Sequence, residues 1–132
     1  MLLQDRVGIV SGIGPGMGRD IALAFAREGA HVVLAARTAA ALDGVAAEVR
    51  ALGRRALCVP TDVARPEDCI RLAAAAHAEF GRIDVLVNNA FASGRYDPVE
   101  TASMDDWREV FDVNVFGSIQ LSQAVIPHLK AR

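Results

Sequence analysis

Four short, continuously apolar runs alternate with four stretches of helical periodicity in this 132-residue chain, and that alternation limits the possible folds more than any single motif does. The runs lie at residues 7–10, 31–35, 56–59 and 83–87. None alternates apolar with polar residues, so each reads as a strand covered on both faces, as in a parallel sheet. Between them, Ile21, Leu23, Ala24 and Phe25 give residues 18–27 an apolar stripe that Gly29 ends. Leu42, Val45, Val49 and Leu52 do the same for residues 39–52, with Gly53 following. Pro66 suits the first turn of a third helix, which Gly81 closes after Phe80. Ser103-Met104-Asp105-Asp106 resembles a capping box with Asp in place of Glu, and a helical pattern runs from there to the C-terminus, with Pro127 placed to kink it.

Parallel strands need crossovers, and these are overwhelmingly right-handed. The expected product is an α/β, Rossmann-like doubly wound parallel sheet of strand order 3-2-1-4, forming a single domain over residues 1–132. In that order the fourth and most apolar strand stands at an edge with nothing beyond it, which a soluble fold avoids. The expectation is therefore a sheet whose later strands are absent, truncated after the helix that follows strand four, or one with an obligate partner.

Composition narrows the function. Fourteen basic and sixteen acidic residues leave a net charge of −2, so nothing draws the chain to nucleic acid or an anionic membrane. No apolar run approaches the ~18 residues of a membrane span. The segment after Met1 lacks the basic stretch and long apolar core of a signal peptide, so a cytoplasmic location is expected. Cys58 and Cys69 are too far apart for a redox or metal pair and read as buried, reduced thiols. His31, His77 and His128 have no ligand spacing, so no metal is expected.

The segment from Ser11 to Gly18 joins the first strand to the first helix. Glycines there let the backbone approach a diphosphate, and the helix N-terminus offers free N–H groups and a partial positive charge. G-x-G-x-x-G fails in both frames, because Met17 and Arg19 stand where glycine is needed. No Gly-Lys-Ser/Thr follows, which excludes a P-loop. The pattern that fits is G-x-x-x-G-x-G through Gly12, Gly16 and Gly18, with Gly14 in addition.

Ser11-Gly12…Gly16-Met17-Gly18 resembles the Thr-Gly-x-x-x-Gly-x-Gly turn of short-chain dehydrogenases/reductases, with Ser11 in the threonine place. Thr61-Asp62-Val63 looks like that family's adenine-contacting aspartate segment, and Asn88-Asn89-Ala90 its Asn-Asn-Ala-Gly motif. Asn114 matches the asparagine of its catalytic tetrad. The resemblance implies hydride transfer between a nicotinamide cofactor and an alcohol or carbonyl, and a homo-oligomer. It implies a cofactor site of Gly12, Gly14, Gly16, Met17, Gly18, Arg37, Asp62, Val63, Asn88 and Ala90, with Asn114 breaking its helix locally to hold a relay water. Phe91 departs from the family by standing where glycine is usual. The catalytic Tyr-x-x-x-Lys is not found either. Tyr96 is the only tyrosine, Glu100 follows it four residues on, and the only lysine is Lys130. Ser93 shares the Tyr96 loop and is not where the family's serine belongs. The chain alone is therefore expected to be inactive.

The end of strand two reads Leu34-Ala35-Ala36-Arg37-Thr38 and holds no acid. A carboxylate there would receive the ribose hydroxyls of NAD(H). Arg37 suits a 2′-phosphate instead, so NADP(H) is favoured, with NAD(H) possible. Two other readings stand beside this one. One is a non-catalytic dinucleotide-binding module. The other is a different Rossmann-like protein such as a methyltransferase, a class that usually has the acid this segment lacks.

Overall fold

The computed structural model describes all 132 residues. Its elements follow in the order β1 (Val7–Ser11), α1 (Met17–Arg27), β2 (His31–Ala36), α2 (Ala40–Ala51), β3 (Ala56–Pro60), α3 (Pro66–Phe80), β4 (Val85–Asn88), α4 (Met104–Phe111) and α5 (Ser118–Lys130). A short 3-10 turn, Val99–Thr101, precedes α4, and a π-helical segment, Asp112–Gly117, joins α4 to α5. The sheet order is β3-β2-β1-β4 with every pairing parallel, as the alternation of runs and periodic stretches predicts. The fold is Rossmann-like.

Two apolar clusters sandwich the sheet. On one face, Ala22, Leu23 and Ala26 of α1 and Leu42, Val45, Ala46 and Val49 of α2 pack on Val10, Val32 and Leu34. On the other, Cys69, Leu72, Ala73 and Ala76 of α3 and Leu121 and Val125 of α5 pack on Val7, Ile9, Val33 and Ala35. Each Leu, Ile or Val buried this way is worth about 1.5–3 kcal/mol. Alternate residues of β1 and β2 serve opposite faces, so both strands must be apolar throughout. Cys69 is buried as expected and Cys58, within β3, only half-buried; burial pushes the Cys58 thiol up and Cys69 to about 11, which disfavours the thiolate in both.

Helix ends follow the punctuation. Gly29, Gly53 and Gly81 all take positive φ just beyond α1, α2 and α3, a conformation open to glycine at little cost. Two details differ from the sequence reading. Strand β4 begins at Val85 rather than Ile83, because the Asp84 carboxylate accepts from the Val7 amide and from Nε and Nη2 of Arg82 instead of continuing the strand. The capping box is half made: Ser103 Oγ accepts from Asp105 N–H at 3.2 Å, but Asp106 turns to the Arg95 amide. Pro127 lies inside α5, which continues to Lys130. β4 pairs only with β1, and its Val85, Leu86 and Val87 are half-buried. No helix is long and apolar enough to cross a membrane.

Candidate functional site

The loops at the C-terminal ends of the strands frame a crevice of about 670 Å³. This is where a doubly wound sheet places its ligands, beside the strand-order reversal between β1 and β4. Its floor is the glycine turn. Gly12 and Ile13 both donate to the Ala35 carbonyl, at 2.9 and 3.1 Å, so the turn is tied to the end of β2.

The four glycines divide into two pairs. Gly12 has φ +80°, and a Cβ there would lie 2.5 Å from the backbone of Asn89 and Ala90. A Cβ on Gly18 would strike the Gly12 carbonyl. These two are glycine because the protein itself leaves no space. A Cβ on Gly14 or Gly16 would meet nothing within 4 Å. Gly16 is also the N-cap of α1, and no side chain caps the helix there. The first N–H groups of α1 thus face outward without a side-chain acceptor, with the positive end of the helix behind them.

Asn89, the second residue of the Asn88-Asn89-Ala90 motif, ties the end of β4 to the glycine turn after β1. Its side-chain Nδ2 donates to the Gly12 carbonyl at 2.9 Å, and its amide donates to Ser11 Oγ at 3.2 Å. Ser11 Oγ in turn donates to the Val87 carbonyl. The signal was present in the sequence, since β4 directs successive side chains to opposite faces. Asn88, the neighbour expected to serve the cofactor, donates instead to Ser122 Oγ on α5 at 3.1 Å. Ala90 lines the crevice; Met17 is exposed at the first position of α1.

The walls hold the remaining expected residues. Arg37 is exposed at the rim and has neither an ion pair nor a hydrogen bond within the protein. Asp62 lines the crevice, while its Oδ1 accepts from the Ala64 amide at 3.0 Å and its own amide donates to Asp68 Oδ2 at 2.8 Å. It therefore organises the turn before α3 whatever else it does. Val63 is buried, and a Cβ on Gly117 would meet it at 2.8 Å, which sets the π segment close against this wall.

Asn114 sits within the π segment, so the helix is locally broken where the resemblance implied. Its side chain makes a two-way clamp on Ala92: Oδ1 accepts from the Ala92 amide and Nδ2 donates to the Ala92 carbonyl, both at 2.8 Å. The clamp anchors the strand-four loop at the crevice. Phe91, immediately before it, is 73% exposed at the mouth. Tyr96, with φ +62°, is exposed and absent from the crevice lining.

A second concavity of about 460 Å³ lies outside the crevice, between Val99, Ala102, Met104, Trp107, Phe111 and Phe116. It is mostly apolar, with Arg108 and Asp112 the charged residues of its lining, and it lies away from the glycine turn and the switch point where this fold places its ligands.

A glycine turn at the switch point of a parallel 3-2-1-4 sheet puts the chain in the Rossmann-like class. A family model described as short chain dehydrogenase matches residues 6–132. The chain belongs to the short-chain dehydrogenase family. It is 42% identical over 125 residues to an uncharacterized oxidoreductase of Mycobacterium tuberculosis, covering 95% of this chain and 47% of that one. Among solved structures it resembles a xylitol dehydrogenase bound to NAD+, at 31% identity and a TM-score of 0.95 over 99% of this chain and 50% of that one. It also resembles L-sorbose reductase from Gluconobacter frateurii complexed with NADPH and L-sorbose, at 32% identity and a TM-score of 0.92 over 100% of this chain and 51% of that one. The chain thus spans about half the length of the relatives it matches.

Proposed function

We propose that this chain forms the cofactor-binding part of an NAD(P)-dependent oxidoreductase acting on an alcohol or carbonyl. One observation carries the reading: Gly14 and Gly16 are open, and no side chain caps α1 behind them. A turn that needed glycine only for packing would use Gly12 and Gly18 and leave the other two free to vary. Gly14, Gly16, Met17 and Gly18 would present main-chain N–H groups to the pyrophosphate, while Gly12, its own N–H given to the Ala35 carbonyl, would hold the turn in place beneath it. Asp62 and Val63 would border the adenine, with Asn88 and Ala90 at the β4 end of the site. The nicotinamide, when bound, supplies the hydride chemistry.

Arg37 would take the 2′-phosphate of NADP(H). It is exposed, it has no internal partner, and no carboxylate stands at the end of β2 to receive ribose hydroxyls. The family accommodates either cofactor, as the NAD+ and NADPH complexes of its relatives illustrate. Asn114 would act from its main-chain carbonyl, because the side chain is spent on Ala92. No tyrosine or lysine lines the crevice, so these residues bind the dinucleotide without a proton donor of the family's kind. Trp107, Phe111, Val115 and Phe116 on the outer face of α4 and the π segment would be covered in a homo-oligomer.

Calorimetric titration tests the reading. NADPH is expected to bind at least tenfold more tightly than NADH, a gap of about 1.4 kcal/mol, and Arg37→Ala to erase the difference. Equal affinities, or unchanged NADPH binding by Arg37→Ala, would remove the NADP(H) preference. No binding of either dinucleotide would remove the function.

A further inference from the structure

His77 and His128 play no part in the crevice. His77 lies in the last turn of α3 and His128 in the last turn of α5, two helices that pack side by side on the same face of the sheet. Both helices run antiparallel to the strands, so both rings sit at the end of the molecule remote from the glycine turn. The ring centroids are 4.8 Å apart and the planes are inclined by 35°. The histidine side-chain hydrogen bonds in this protein all belong to His31, so the nitrogens of both rings are free of protein partners. Around them the groove is lined by Ile70, Ala73, Ala74, Ala78 and Ala124, four of them alanines too short to cover the rings.

That spacing suits coordination. An ion about 2.0–2.1 Å from one nitrogen of each ring, with an angle of roughly 90–110° at the metal, holds the imidazole centres about 4.5–5.2 Å apart. The electrostatics add to it. The last turns of two helices bring two partial negative charges to one place, and a cation there is favoured. Lys130 shares the last turn of α5, but it is exposed and its charge is screened.

We propose that His77 and His128 form a two-imidazole site for a late first-row divalent ion, of the Cu2+, Ni2+ or Zn2+ kind, with water completing the coordination. Imidazole nitrogens select these ions over Mg2+ and Ca2+, and Cu2+ binds most tightly of them. The ion clamps the C-terminal ends of α3 and α5 together and so stabilises the fold by mass action. The site stands apart from the crevice and does not depend on dinucleotide binding.

Untagged protein, stripped of metal and titrated with Cu2+ or Zn2+ at pH 7.5, tests the site. One equivalent is expected to bind and to raise the thermal midpoint. His77→Gln and His128→Gln should each weaken binding at least tenfold and abolish the rise. The electron paramagnetic resonance spectrum of the Cu2+ form should show coupling to two imidazole nitrogens. Wild-type affinity in either variant, a spectrum with fewer than two nitrogens, or no uptake at 0.1 mM ion would overturn the proposal. So would loss of binding in Cys58→Ser with both histidines intact. Circular dichroism of the metal-free variants separates loss of a ligand from loss of the fold, because both rings lie outside the buried core.

Discussion

Helices α1 and α4 are both amphipathic, yet they end up in opposite situations. α1 buries Gly18, Ala22, Leu23 and Ala26 against the sheet and α2. α4 buries nothing, and Met104, Trp107 and Phe111 all remain exposed. The strands beneath them differ in the same direction, since β1 is buried at every position and β4 at none. Apolar periodicity therefore shows that a face is to be covered, and says nothing of what covers it. Around α1 the chain supplies its own cover. Around α4 it presents an apolar groove instead, and we propose that a second subunit covers it.

Substitutions can break this contrast. Gly12→Ala should cost the most, about 3 kcal/mol or more in urea unfolding, because it combines positive φ with a clash against the Asn89 and Ala90 backbone. Leu121→Ala, fully buried in α5, should cost about 2–4 kcal/mol by leaving a cavity. Asn114→Ala should cost about 1–2 kcal/mol, and hydrogen exchange should show the Ala92 amide losing protection, since both clamp bonds disappear together. Trp107→Ala should change monomer stability by less than about 0.5 kcal/mol while weakening self-association measured by sedimentation. If Trp107→Ala instead destabilised the fold as much as Leu121→Ala does, α4 would belong to the core and the contrast would fail.

A smaller effect belongs to pH. Burial, with the charges of Arg54 and Arg55 added, holds His31 below its ordinary 6.5. The unfolded chain then binds the proton more readily, so stability is complete above about 6.5 and falls as the pH drops below it. For Asp84, burial raises the carboxyl but Arg82 and the Val7 amide outweigh it, and the net position is below 3.8. Its contribution is present above that value and is lost in more acidic solution. A thermal midpoint that declines from pH 6.5 to pH 5.5 in the parent, and stays level in His31→Gln, is the expected result. An equal decline in the variant would assign the effect elsewhere.

The legible part of this molecule is what depends on local pattern. Continuous apolar runs marked the doubly covered strands, glycines marked the helix ends, and the order 3-2-1-4 followed from crossover handedness. The π segment was legible only through Asn114, by resemblance, because a one-residue widening of a helix leaves no periodic trace. Which of Asn88 and Asn89 faces the glycine turn depends on strand register, set by pairing with β1 from 77 positions away. Asp106 reads as a capping residue until the Arg95 amide is seen beside it. The pairing of His77 with His128 comes from helices whose starts, Pro66 and Ser118, are 52 residues apart, and no spacing rule reaches that far.

The most direct test follows the backbone amides of Gly14, Gly16 and Met17 by nuclear magnetic resonance during titration with NADPH. Saturable shifts at these three amides, with Gly44 unmoved on the outer surface of α2, are the predicted result. Binding that leaves them unshifted while residues elsewhere respond, or no binding at millimolar cofactor in folded protein, would contradict the account of a dinucleotide seated on the positive end of α1.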